Sequence, residues 1–366
     1  MSDVIRILCL ADSHLGVDLP TRPRVERRRR GPDFLANHAA ALAPALAGGV
    51  DVVVHGGDVF DRPRVPASLA HQAYAALLRV ADRGVPVFIV PGNHERGRLP
   101  HAHLLAHPRV HVFDRPRTFT WEVRGVRLAL SGFPYERANV RARFPELLAR
   151  TGWRAVPASV RLLCVHHCIE GATVGPGDYT FTTAPDVIRG RDLPGDFAAV
   201  LSGHIHRRQA LVAHLSGRPL AAPVLYPGSI ERTSTAEIGE SKGYLLVEAA
   251  PGRPVRWEHR DLPARPMVAE RLVAGDAGGV ELDAALRALV AAAPADAVLR
   301  VRVEGATSAA QLRVLSSAHV RSYAPATMNV EVRSGARLRA GFDRAHRRRR
   351  GTGSRGPRDE NLRLEL

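Results

Sequence analysis

The chain has 366 residues, 45% apolar and 24% charged, enough for a full core in one large domain plus a smaller one, or in two medium ones. No stretch has the apolar length that a bilayer requires, and the segment from Met1 to Leu10 carries Asp3 and Arg6 without a small-residue cleavage site, so no membrane partner is expected and the expected compartment is the cytoplasm. The formal net charge of +16 favours polyanionic partners such as nucleic acid, although a composition rich in Ala, Arg, Gly and Pro, with Lys242 the one lysine, supplies the same charge without any partner.

In chain order, Val4–Ala11 reads as a strand. Asp33–Gly48 reads as a helix that starts near a capping Asp and stops at Gly48-Gly49. Asp51–His55 is a strand, Ala67–Ala81 a helix and Val85–Val90 a strand. That alternation implies parallel β-α-β units. Phe119–Val123 and Val126–Ser131, separated by Arg124-Gly125, form a hairpin pattern. Val160–Val165, Ala198–Ser202, Val224–Tyr226 and Tyr244–Glu248 are further strands with few helices between them. The fold class is therefore mixed α/β with at least two sheets. Pro263–Pro266 marks a boundary, so a first domain covers 1–262. A small α/β domain over 263–333 follows, with a helix near Leu282–Ala293, a strand at Val298–Val303, a helix at Ser308–Ser317 and a strand at Asn329–Arg333. Residues 334–366 are Arg- and Gly-rich and read as a flexible tail. Cys9, Cys164 and Cys168 are too few and too apolar in setting for a disulfide framework or a zinc site.

Five short motifs follow strands. They are Asp12-Ser13-His14, Gly57-Asp58-Val59-Phe60-Asp61, Gly92-Asn93-His94-Glu95, His166-His167 and Gly203-His204-Ile205-His206. In open α/β sheets, loops at the carboxyl ends of strands converge on one crevice. Glycine before Asp58, Asn93 and His204 allows sharp turns and close approach. Asp12, His14, Asp58, Asn93, His166, His204 and His206 offer imidazole, carboxylate and amide oxygen donors with no thiolate. Such a set suits Mn, Fe or Zn better than Mg or Ca. Two ions about 3.5–4 Å apart can clamp a phosphate and acidify a bound water for in-line attack. Taken singly, each motif is an ordinary turn or a surface histidine. It is their joint occurrence, in order, that carries the chemistry.

At these residues the sequence resembles the calcineurin-like metallophosphoesterases. The resemblance implies a four-layer sandwich, two mixed β-sheets face to face with helices outside, and a small α/β cap. It implies two divalent ions, with Asp12, His14 and His206 on one, Asn93, His166 and His204 on the other, and Asp58 bridging. His94 would bind no metal and would stabilise or protonate at the scissile phosphate. Manganese is the expected metal. Within the superfamily, Asp58-Val59-Phe60-Asp61, the stretch Tyr226-Pro227-Gly228-Ser229-Ile230-Glu231-Arg232-Thr233, and Glu237, Glu240 and Lys242-Gly243-Tyr244 are similar to the SbcD-type DNA repair exonucleases, the bacterial counterpart of the Mre nuclease. This implies a metal-dependent DNA nuclease in double-strand-break processing. A phosphatase or cyclic-nucleotide phosphodiesterase on the same fold is the alternative. A non-catalytic scaffold would have lost ligands, and all are present.

The third motif ends in Glu95 where the family commonly has Asp. His166 and His167 fall on opposite faces of a strand end, and the resemblance implies His166, because the family's ligand directly follows the apolar strand. SbcD-type proteins contact an SbcC-type coiled-coil ATPase through late helices, and here Asp359–Leu366 alone could form such an element. A homodimer is implied by the resemblance only. For DNA contact the candidates are Arg22, Arg24, Arg27, Arg28, Arg29 and Arg30 in the loop after the first motif, with Arg96, Arg98, Arg207 and Arg208 flanking two others. Each could pair phosphate oxygens or lie on a solvated basic face. With 5% aromatic residues and no stacking platform evident, contact would run through phosphates and shape.

Overall fold

The computed structural model describes residues 3–18, 30–275, 278–305 and 308–334. In chain order the first strands and helices are β1 (Ile5–Leu10), α1 (Gly31–Leu46), β2 (Val52–His55), α2 (Ala67–Asp82), β3 (Val87–Ile89) and β4 (Val110–Val112). They build a parallel core, β1-β2-β3-β4, through crossover helices. The chain then makes the hairpin β5 (Arg117–Val123) and β6 (Val126–Gly132), followed by α3 (Val140–Arg150) and β7 (Val160–Val165). Arg124 and Gly125 join the hairpin with φ of 52° and 78°. Positive φ at both central residues is the turn that matches the strands' own twist.

Four two-residue strands follow: β8 (Cys168–Ile169), β9 (Thr173–Val174), β10 (Tyr179–Thr180) and β11 (Val187–Ile188). Then come β12 (Ala199–Ser202), β13 (Gln209–Ala213), β14 (Pro219–Tyr226), β15 (Gly243–Ala249) and β16 (Arg256–Asp261). One large sheet has the order β16-β15-β1-β2-β3-β4 and the other β13-β14-β12-β7-β6-β5, and both mix parallel and antiparallel pairs.

Alternation along β1 shows how the layers are held. Leu8 and Leu10 face α1 and α2, packing with Phe34, Leu42, Tyr74 and Leu77. Ile7 and Cys9 face the second sheet, packing with Leu128, Leu162, Cys164 and Leu201. A strand buried on both faces reads as a continuous apolar run, as this one does. The outer face of the second sheet packs Leu163, Val165 and Val224 against Phe144 and Leu148 of α3. The result is the four-layer sandwich, two mixed sheets between helices. The three cysteines are free and buried, and no helix among the described residues is long and apolar enough to cross a membrane.

After Pro266 a separate three-stranded parallel sheet forms from β17 (Met267–Val273), β18 (Val298–Glu304) and β19 (Asn329–Ser334), in the order β17-β18-β19. With it go α4 (Gly279–Ala292), α5 (Ala309–Val314) and α6 (Ser317–Arg321). They enclose their own core of Leu282, Leu286, Val290, Leu299, Val301 and Val320. We take this unit as the cap, divided from the sandwich at Pro263. Residues 335–366 of the expected tail, Asp359–Leu366 among them, lie outside the described residues.

The structure corrects several boundaries. The first helix begins at Gly31 with Arg30 at its N-cap, so Asp33 lies inside the first turn and not at the cap position. Its carboxylate still sits at the positive end of the helix dipole. The helix expected over Ser308–Ser317 is two helices, because Ser308 caps the first and Ser316 accepts from the His319 amide to start the second. Helix α3 carries Pro145 and four other non-apolar positions in a short span, which hid its periodicity.

Candidate metal centre

Backbone hydrogen bonds first lock two motif loops together. The amides of Asp12 and His14 donate to the carbonyls of Gly57 and Asp58 at 2.9 and 3.0 Å. Asp12, His14, Asp58 and His204 all adopt left-handed φ, at 51°, 42°, 51° and 82°. Side-chain-bearing residues pay of order 1–3 kcal/mol each for such backbone, and it persists only where the surroundings dictate it. Four in one crevice mark a built site. Close approach is equally demanding. A Cβ on Gly57 would fall 2.2 Å from His166 Nδ1, and one on Gly92 2.0 Å from Asp58 Oδ1. The third motif is tied in by Glu95, whose two carboxylate oxygens accept from the amides of Phe60 and Gly92 at 2.9 and 2.7 Å. Glu95 therefore does the orienting work with one extra methylene. Burial and the nearby Asp58 push its acid up to about 8, against the pull of those two amides.

The donors converge. Those of Asp12, His14 and His206 lie within 4.8 Å of one another, as do those of Asp12, Asp58 and His166, and those of His14, Asp58 and His94. Asp58 Oδ2 is 3.4 Å from His166 Nε2 and 3.9 Å from both His14 Nε2 and His94 Nε2, so it stands between the groups. Asn93 Oδ1 is 2.8 Å from His166 Nε2 and 2.9 Å from His204 Nδ1. Both oxygens of Asp12 accept from the His204 amide at 3.0 and 3.1 Å.

Partners on the far side of two rings fix their tautomers. His166 Nδ1 lies 2.8 Å from the Gly56 carbonyl, which can only accept, so Nδ1 carries the hydrogen. Its Nε2 lone pair then faces the Asp58 and Asn93 oxygens, an arrangement that needs a cation or a proton between them. His206 Nδ1 lies 3.0 Å from Glu237 Oε1, so its Nε2 faces His14 Nε2 at 2.9 Å, where two neutral imidazoles can share at most one proton. Burial lowers the His166 imidazole, but Asp58 outweighs it and raises the ring to about 9. Burial raises the Asp58 carboxyl, and His166, His14 and His94 together hold it well below the usual carboxylate range. These residues fit a divalent cation on chemical grounds.

His94 differs from the others. Its Nδ1 is 2.8 Å from the Asp61 carbonyl, its amide donates to Asp58 Oδ1 at 3.0 Å, and its ring stays 28% exposed while His14 and His166 are buried. It is the partly open imidazole beside Asp58. His167 turns away, stacked on Tyr135 at 4.9 Å and accepting from the Glu136 amide at 3.1 Å.

Several neighbours had no separate signal in the sequence. Asp61 was visible as the end of the second motif, and its carbonyl sets His94. Tyr135, just beyond β6, packs its ring 6.1 and 5.9 Å from those of His166 and His204. Ser13 joins two buried histidines, His55 at 2.9 Å and His38 at 3.2 Å.

The candidate arginines fall into distinct groups. Arg22, Arg24, Arg27, Arg28 and Arg29 lie outside the described residues. Arg30 donates to the Arg232 carbonyl at 2.6 Å and pairs with Glu231. Arg207 is held by Glu240 at 3.0 Å, by the Gly175 carbonyl and by Asp178. Both guanidinium groups are engaged within the fold, Arg30 by the buried Glu231 and a carbonyl, Arg207 by the half-buried Glu240, the exposed Asp178 and a carbonyl. Arg208 pairs with Asp261, whereas Arg96 and Arg98 are exposed.

Comparison with known proteins bears on the whole arrangement. Residues 5–208 match the calcineurin-like phosphoesterase family model. The chain is 27% identical over 288 residues to the SbcD subunit of the nuclease SbcCD of Bacillus subtilis, covering 69% of this chain and 68% of that protein. It is 32% identical over 277 residues to the DNA double-strand break repair protein Mre11 of Haloferax volcanii, covering 75% and 56%. An uncharacterized metallophosphoesterase of Bacillus subtilis, YhaO, is 28% identical over 208 residues, covering 56% and 46%. The matched region thus spans from under half to about two thirds of these relatives' own lengths. With the family model covering more than half of its residues and the five motif loops meeting in one crevice, the chain belongs to the calcineurin-like phosphoesterases.

Proposed function

We propose that this chain is a metal-dependent DNA nuclease that hydrolyses phosphodiester bonds, an SbcD-like exonuclease subunit of double-strand-break processing. The observation that carries the hydrolytic part is the orientation of His166 and His206, each turned by a fixed partner so that Nε2 faces other donors across the crevice. Asp12, His14 and His206 would hold one divalent ion, Asn93, His166 and His204 the other, with Asp58 shared. Manganese is the preferred ion for so imidazole-rich a set. When bound, the ions supply positive charge to the phosphate and acidify water. The chain's own part is positional. Glu95 and the Gly57 and Gly92 turns hold the donors in place. The Asp61 carbonyl fixes His94 Nδ1–H and leaves Nε2 toward the open side, where it can hold a proton for the oxygen that leaves.

The DNA part rests on the Tyr226–Tyr244 segment, the named relatives and the net charge of +16. On the same reading the chain is cytoplasmic, dimeric and partnered by an SbcC-type ATPase. The internal pairing of Arg30 and Arg207 favours a second reading, a phosphoesterase for a smaller phosphomonoester or diester. One panel separates them: the purified chain with Mn2+, given linear duplex DNA, hairpin DNA, single-stranded DNA and an aryl phosphodiester. Release of nucleotides from duplex or hairpin DNA is the expected result. Turnover of the aryl ester with all three DNAs intact supports the second reading and removes the first.

A further inference from the structure

Glu237 is a buried carboxylate with every acceptor position used. Its Oε1 faces His206 Nδ1 at 3.0 Å and accepts from the Thr233 hydroxyl at 2.7 Å. Its Oε2 accepts from the Thr233 amide at 3.2 Å and pairs with Lys242 Nζ at 2.8 Å. Lys242, itself buried, also reaches Glu240 at 2.8 Å and the His206 carbonyl at 2.9 Å. A carboxylate held from four sides cannot swing, so it dictates both the tautomer and the ring plane of His206.

Glu237 sits in the short 3-10 turn Thr235–Glu237. The other end of that turn is gripped from the cap. Arg300 on β18 donates through Nη1 to the Thr235 hydroxyl at 2.7 Å, and its Nε and Nη2 are fixed by Glu331 of β19 at 2.9 Å. A chain of direct contacts therefore runs from the cap sheet through Arg300, Thr235 and Glu237 to His206.

We propose that the cap positions a metal ligand: Arg300 holds the Thr235–Glu237 turn, and Glu237 aims His206 Nε2 at the ion shared with Asp12 and His14. The inference rests on the two-metal reading above. Arg300 and Glu237 are positioning residues, since neither is among the converging donors of the metal centre. The cap is then part of the metal centre's scaffold, and only the ion held by His206 depends on it.

The test is calorimetric titration of the metal-free, full-length chain with Mn2+, fitted to two sites, with activity not required. Glu237→Gln, which keeps an acceptor and loses the charge, weakens one site by about tenfold, at the low end of what losing an outer partner costs. Arg300→Ala weakens the same site by about fivefold, and Arg300→Lys recovers part of it. The double variant Glu237→Gln with Arg300→Ala binds no more weakly than Glu237→Gln alone, because the two lie on one path. Thr235→Val deletes the same bond from the other side and repeats the Arg300→Ala result, so misfolding of one variant does not shield the inference. Two unchanged affinities in Arg300→Ala and Thr235→Val, or additive losses in the double variant, overturn it while leaving the two-metal reading intact. A wild-type chain that binds fewer than two Mn2+ overturns that reading, and this inference with it.

Discussion

Gly92→Ala tests the packing of the crevice without any assumption about substrate. A Cβ there would lie 2.0 Å from Asp58 Oδ1 and 2.5 Å from the Asp58 amide nitrogen. Ordinary approach between non-bonded heavy atoms needs about 3.5 Å, so the carboxylate must retreat by about 1.5 Å. The amide cannot follow freely, because the Asp58 carbonyl accepts from His14. Retreat breaks the bond from the His94 amide to Asp58 Oδ1, a charge-assisted hydrogen bond that contributes about 1.5–3 kcal/mol. Overpacking adds about 1–3 kcal/mol. The sum of about 2.5–6 kcal/mol corresponds to a melting temperature lower by roughly 5–24 °C at about 2–4 °C per kcal/mol. Scanning calorimetry in chelator measures it, with Gly239→Ala as the control, since a Cβ there meets nothing within 4 Å. The variant should also lose Mn2+ from both sites. A Gly92→Ala chain that melts within about 2 °C of wild type and still binds two ions refutes the packing argument.

The remaining predictions concern ligands, metal and charge. Asp58→Asn should lose both ions and all activity, whereas His94→Leu should lose activity and keep both ions, as elemental analysis would show. If His94→Leu loses metal as fully as Asp58→Asn, its role as a non-ligand is wrong. Chelator should inactivate the enzyme and Mn2+ should restore it better than Mg2+, because Mg2+ prefers oxygen donors and retained waters. Full rescue by modest Mg2+ alone would contradict the ligand set. Deleting residues 335–366 removes Arg337, Arg339, Arg344, Arg347, Arg348, Arg349, Arg350, Arg355, Arg358 and Arg363. Binding to duplex should weaken and its dependence on log salt become shallower, by about 0.9 for each phosphate no longer neutralised. An unchanged slope would assign those arginines to solvent.

The sandwich was legible because its strands are buried on both faces and announce themselves as apolar runs, β7 among them. The crevice was legible because metal-capable side chains follow those runs directly, and the structure brings Asp12, His14, Asp58, Asn93, His166, His204 and His206 together. Strand periodicity only sent His166 and His167 to opposite faces; the choice of His166 came from the family resemblance, in which the ligand directly follows the apolar strand. What escaped depends on tertiary pairings that no local pattern records. Glu237 stood out in the sequence as part of a resembling segment, but its grip on His206 spans 31 residues. Arg30 and Arg207 looked free because composition does not say which carboxylates will claim them. Strand β17 and the break between α5 and α6 escaped for local reasons. β17 is largely exposed and charged along Glu270 and Arg271, and one serine hydroxyl at 316 outweighed a helical pattern.

The two-metal centre itself is tested most directly by anomalous diffraction at the manganese edge from crystals of the full chain grown with Mn2+. Two peaks about 3.5–4 Å apart are expected. One should lie among Asp12, His14 and His206, the other among Asn93, His166 and His204, with Asp58 touching both. A single peak, or a second ion bound away from Asp58, would contradict the two-metal centre.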